Sequence, residues 1–100
     1  MGNVFFDVSN ADFRIASVEA LRDLLEELVT SGDISGNQTA RHLRATLDRA
    51  RRFRDDGKLD AYRSQIQAFI DQVLDYTPRF VTPEASAALV AEGELLRDGI

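Results

Sequence analysis

From Lys58 to Tyr76 the large apolar residues Leu59, Tyr62, Ile66, Phe69, Ile70 and Val73 recur at spacings of three and four, with Leu74 just off the line. Gln, Asp and Arg fill the opposite side. That period predicts one amphipathic helix with a buried stripe, the longest and most aromatic in the chain, around which the other elements should pack. A shorter stripe, Val18, Leu21, Leu24, Leu25 and Leu28, precedes it, entered through Ser17 as N-cap with Glu19 near the positive end of the helix dipole. Gly32 suits the C-terminus of this first helix. Asp33-Ile34-Ser35-Gly36-Asn37 then forms a link in which Ile34 should plug the end of the core.

A second helix is expected from about Gln38 to Asp55, facing inward with Ala40, Leu43, Leu47, Ala50 and Phe53. Its small alanines should allow a neighbouring helix to approach closely. Asp55-Asp56-Gly57 breaks it, and the Lys58–Tyr76 helix follows as the third. Thr77-Pro78 ends that helix, because a residue before proline resists the helical region. Thr82-Pro83-Glu84 restarts the chain with a cap, a proline at the first position and an acid in the first turn. The fourth helix should bury Ala85, Ala88, Leu89, Leu95 and Leu96, weakened by Gly93 and fraying at Gly99.

Residues 1–16 have a different texture. Val4, Phe6 and Val8 alternate with Phe5, Asp7 and Ser9, the period of a strand, and Ser9-Asn10-Ala11-Asp12 reads as a turn. A lone strand needs partners that the segment does not supply, so it is read as the tail of a preceding β-domain or as an extended arm on the helices. The expected fold is therefore all-α, an antiparallel four-helix up-and-down bundle over residues 17–100 with a short extended N-terminal arm over 1–16.

Composition narrows the function more by exclusion than by assignment. One hundred residues, 44% of them hydrophobic, suffice for one core. A net charge of −5 disfavours nucleic acid or an anionic membrane as partner of the whole molecule. The absence of cysteine removes disulfides, thiol catalysis and cysteine-ligated zinc. No apolar run reaches the length of a membrane span, and the N-terminus lacks the basic start and apolar core of a signal peptide. An export address, if the protein is exported, would lie upstream.

The candidate chemistry is sparse. The second helix carries Arg41, Arg44, Arg49, Arg51, Arg52 and Arg54 against Asp48 and the terminal Asp55. One reading is a partner-binding face built on Arg41, Arg44, Arg51 and Arg52 for a phosphate, a sulfated glycan or an acidic protein. The competing reading is a solvated face paired with the acids of the first helix (Glu19, Asp23, Glu26, Glu27) and of the fourth, since surface charge runs usually serve solubility. His42 is the single histidine, with no serine or carboxylate at triad spacing, and is expected to be a partly exposed helix residue. Asp33, Ser35 and Asn37 imitate the start of a calcium loop, but Gln38 and Arg44 stand where glycine and an acid are required, and Asn37 is better read as a helix cap. Asn37-Gln38-Thr39 also fits a glycosylation sequon. Paired carboxylates at glycosidase separation are not marked by any pattern. No metal or cofactor is called for.

Four stretches in order resemble a known family. LRDLLEELVTSGDISGN is a helix followed by a Gly-Asp-Ile link, and ARHLRATLDRARRF is a Leu-x3-Leu-x2-Ala helix ahead of an acidic-glycine turn. AYRSQIQAFIDQVLDY carries Ile66, Ala68, Phe69, Ile70 and Val73 as a central block, and VTPEASAALVAEGELLRDGI is a closing helix entered through Thr-Pro-Glu-Ala. Over about residues 17–98 this layout resembles the FIMAH domain, a small all-helical accessory module near the C-terminus of large secreted bacterial hydrolases and surface proteins. The second helix is richer in arginine than the family pattern, and Gly93 stands where alanine is commoner; both departures are expected to affect the surface rather than the fold. Residues 4–15, VFFDVSNADFRI, resemble the last strands of an extracellular β-sandwich joined to an exported enzyme.

The resemblance implies a non-catalytic accessory module, acting as a spacer, a stabilising cap or a docking surface of an exported multidomain hydrolase or surface protein. Its implied partners are a covalently linked upstream catalytic or β-sandwich domain and a protein or polysaccharide. The alternative from another class is a stand-alone intracellular helical protein that dimerises or holds partners together. Enzymatic activity has no constellation of residues behind it.

Overall fold

The computed structural model describes residues 17–98, and these form four helices, α1 Val18–Ser31, α2 Asn37–Asp55, α3 Leu59–Tyr76 and α4 Pro83–Asp98. Each helix packs on its neighbour in sequence and α4 returns to α1. Short links leave no other choice than alternating directions, so the result is an antiparallel up-and-down bundle. The extended arm expected over residues 1–16 and the fraying at Gly99 lie outside the described residues.

The helix ends follow local chemistry. Ser17 is extended, and its Oγ accepts the Ala20 N–H at 3.0 Å, supplying one of the bonds that a helix start lacks. Gly32 closes α1 in the left-handed region at φ 90°, where a side chain would be strained. At α4, Thr82 Oγ1 accepts the Ala85 N–H at 3.2 Å. The expectation for Asn37 needs correction. Gly36, at φ 86°, is the residue that turns the chain into α2, and Asn37 is already the first helical residue, so its side chain is past the position from which it can cap.

The core is centred on α3. Phe69, Ile66 and Val73 are fully buried with Leu21 and Leu25 of α1, Leu43 and Leu47 of α2, and Leu89 of α4, while Tyr62, Ile70 and Leu96 are nearly so. Leu28 and Phe53 pack on this cluster from partly exposed positions. Three expected core residues are not in it, and one of them, Ala88, is only half-buried at the edge of the inward line of α4. Leu59 is 43% exposed because it opens α3 beside the turn, and Leu95 is 59% exposed. The inward line of α4 is Ala85, Ser86, Leu89, Gly93 and Leu96, which leaves Leu95 about 100° round the helix from Leu96 and in solvent. Leu95→Glu is accordingly expected to change unfolding free energy by no more than about 0.5 kcal/mol in urea titration. A loss of the size seen on deleting a core leucine would put Leu95 inside after all.

The same line explains Gly93. A Cβ there would lie 2.9 Å from Ile70 Cγ1 and 3.2 Å from Ile70 Cδ1, closer than carbon atoms pack. Gly93 is thus the point at which α4 rests directly on the Ile70 side chain of α3. The expectation that this departure concerned the surface is overturned.

One end of the bundle is held by a clasp between two links. Ile34, between α1 and α2, pairs in an antiparallel bridge with Val81, between α3 and α4. Ser35 donates its N–H to the Phe80 carbonyl at 2.8 Å, and Thr82 donates to the Asp33 carbonyl at 3.0 Å. Ile34 is 4% exposed and Val81 not at all, so the two side chains plug this end of the core together.

Candidate functional site

The arginines of α2 divide by what they touch. Arg54 forms a two-pronged pair with Glu19 at the start of α1, both contacts 2.8 Å. Arg44 does the same with Glu26, through Nε and through Nη2 at 2.7 Å. In the opposite sense, Arg22 of α1 bonds Asp48 of α2 and approaches Glu26 at 3.5 Å. These contacts stitch α1 to α2 along its length. The pairing expected with the acids of α4 is corrected, since among the described residues no ion pair joins α2 to α4, and Arg97 of α4 is held by Asp98 beside it.

Hydrogen bonds from Arg54 hold the Glu19 carboxyl far below its ordinary 4.5, down to about 2, against the opposing effect of partial burial. Arg44 lowers Glu26 in the same way. A carboxylate whose acidity rises on folding stabilises the fold above its unfolded value and loses that contribution as pH falls. For Glu19 the window runs from near 4.5 down to about 2. Its side chain is 51% exposed, so solvent screening reduces the contribution to about 0.5–1 kcal/mol. Glu19→Gln should therefore be less stable than the parent by that amount at neutral pH, with the difference shrinking through the acid window in urea titrations. An undiminished difference in acid would show that the Arg54–Glu19 pair is not its source.

Arg41, Arg51 and Arg52 are exposed and take part in no ion pair among the described residues. Of the four expected partner-binding arginines, Arg41 and Arg44 come together in one open groove of about 650 Å³ between α1 and α2. Val29, Ile34, Ala40 and Ala45 supply apolar lining, and Arg22 and Asp48 share it. Arg51 lines a smaller concavity nearer the start of α1, with Glu19 and Asp23. Arg52 faces outward, about 100° further round from Arg51. Within the groove Arg44 already faces Glu26, so Arg41 is the guanidinium left to meet an incoming anion. Arg22 escaped sequence reasoning because it sits among acids; its offset of four from Glu26 was the available signal.

The remaining motifs are absorbed by structure. Asp33 accepts from Ser31 Oγ at 2.8 Å, and Ser35 belongs to the clasp. Among the described residues no group of three His, Asp or Glu side chains is placed to hold a metal ion. None of the described helices is long and apolar enough to cross a membrane. His42 is exposed, and its Nδ1 lies 2.7 Å from the Tyr76 hydroxyl.

No curated protein and no solved structure matches the chain. The family model of the FIMAH domain matches residues 18–98, spanning all four helices. With the helices, links and central Ile66–Val73 block in the order that the resemblance demanded, the chain belongs to the FIMAH domain family.

Proposed function

We propose that this chain is a non-catalytic accessory domain of a larger exported protein and that it docks an acidic partner on the outward side of α2. The observation that carries the docking reading is the contrast within one helix. Arg44 and Arg54 are tied to α1, whereas Arg41 and Arg52 are exposed and in no ion pair among the described residues. Family membership supports an accessory role. The strand-like pattern of residues 4–15 supports attachment to an upstream β-domain, and with it an extracellular or cell-surface location.

Arg41→Glu combined with Arg52→Glu is expected to reduce retention on heparin and polygalacturonate columns, and on an immobilised acidic peptide, with the circular dichroism of the helices unchanged. Arg44 is left alone in this test, because a carboxylate there would face Glu26 and strain the α1–α2 seam. Identical elution of the variant and the parent on all three supports would sink the docking reading.

A further inference from the structure

At the clasp end of the bundle, the C-terminal turn of α3 and the link after it form another open concavity, of about 340 Å³, lined by Gln72, Asp75, Tyr76, Arg79 and Phe80. Its centre is aromatic: the Tyr76 and Phe80 rings meet edge to face, 6.0 Å between centroids at 77°. Phe80 is 37% exposed, a costly placement for a phenyl ring that the fold nevertheless fixes in position. Its N–H donates to the Tyr76 carbonyl at 2.8 Å and its carbonyl accepts from Ser35 at 2.8 Å, so the clasp itself holds the ring out. Gly36 lies against it: a Cβ there would be in ordinary contact with Phe80 Cδ1 at 3.4 Å. His42 Nδ1, 2.7 Å from the Tyr76 hydroxyl, steadies the second ring.

Polar groups surround the rings. The Arg79 guanidinium lies over the Phe80 ring, 5.9 Å from its centroid, so a ligand must stack on the ring's other exposed surface or on Tyr76, or displace this flexible side chain. Asp75 and Arg79 are exposed, and neither is in an ion pair among the described residues. Gln72 accepts from Thr46 at 2.7 Å through Oε1, which leaves its amide hydrogens to donate elsewhere. The concavity thus offers apolar rings, donors and acceptors, with one positive and one negative charge that cancel.

We propose that this aromatic shelf is a binding site for a neutral polysaccharide, taking one or two hexose rings of the chain. A hexose presents a C–H face that an aromatic ring covers well and a rim of hydroxyls that both donate and accept, which matches the lining group for group. The charge balance selects against a polyanion, and the shallow opening lacks the deep apolar anchor pocket that a peptide side chain requires. Because the backbone bonds already fix the Phe80 loop, binding orders little of the protein.

The test is a titration of the isotope-labelled domain with cellohexaose, maltohexaose and mannohexaose, with hexagalacturonate and an acidic peptide as charged comparisons, followed by amide chemical shifts. Residues 18–98 form a bundle with its own core, so the chain as it stands is suitable. At least one neutral oligosaccharide should shift the amides of Gln72, Asp75, Tyr76, Arg79 and Phe80 with millimolar affinity, and Phe80→Ala should weaken binding about tenfold or more. Asp75→Ala and Arg79→Ala, both at exposed positions, should each weaken it severalfold without altering thermal unfolding, so that a folding defect in the phenylalanine variant does not decide the matter. No shift with any neutral oligosaccharide overturns the proposal. Shifts confined to hexagalacturonate or the peptide and centred on Arg41 also overturn it, while supporting the docking role of α2.

Discussion

Phe69→Ala is expected to remove about 3–5 kcal/mol of unfolding free energy. Phe69 is the largest of the fully buried side chains and lies in the middle of α3, the helix that packs against both α2 and α4. Truncation deletes its transfer free energy and leaves a cavity that the flanking Ile66, Ile70 and Val73 close only in part, being anchored on the same helix. Domains of this size are commonly stable by about 5–15 kcal/mol, so the loss is a large share of the total and leaves the variant little margin if the parent sits at the low end. In urea the midpoint should fall while the slope is kept, since the surface exposed on unfolding hardly changes. A loss under about 1 kcal/mol would mean that the core is centred elsewhere.

Gly93→Leu is expected to cost about 3 kcal/mol, at the upper end of what overpacking does. Even the first carbon of a side chain would stand 2.9 Å from Ile70 Cγ1, an atom near the root of a buried, branched side chain that has few rotamers to escape into. Gly93→Ala is the graded control. Its better helix propensity returns about 1 kcal/mol, so it should lose less than the leucine variant. Combining Gly93→Ala with Ile70→Ala should give less than the sum of the two losses, because the new methyl occupies part of the space that the isoleucine vacates. Strict additivity would show that the two residues do not share that space.

The helices were legible in the sequence because burial has a period there. Ile66, Phe69, Ile70 and Val73 repeat in register with α3, and Ser17, Gly32 and Thr82 mark boundaries by chemistry that acts within a few residues. Errors arose where two positions compete for the same side of a helix. Leu95 and Leu96 are adjacent, both are good core residues, and only the seat of Gly93 on Ile70 rotates α4 so that Leu96 wins. Val81 was missed because an isolated valine in a short link carries no period; its burial depends on meeting Ile34, which lies in the other link. The candidate surface was less legible still. The six arginines of α2 look alike in sequence, and what separates Arg44 from Arg41 is the position of Glu26 one helix away. The aromatic shelf falls within residues 72–80, but its residue types mark no chemistry on their own, and what poises the two rings is Ser35 of the clasp and His42, which lie far off in sequence.

The clasp of Ile34 and Val81 has a mechanical consequence. It ties the α1–α2 and α3–α4 links at one end, which puts the beginning of α1 and the end of α4 side by side at the other. A polypeptide passing through the bundle therefore enters and leaves at nearly the same point, and the helices hang beside its path, adding little to its reach. Tension applied through those two ends loads the α1–α4 seam one contact at a time, like a zip, and reaches the clasp last. Such a shape adds little length along that path and sets its far end, with the Phe80 ring beside the clasp, opposite the beginning of α1 and the end of α4.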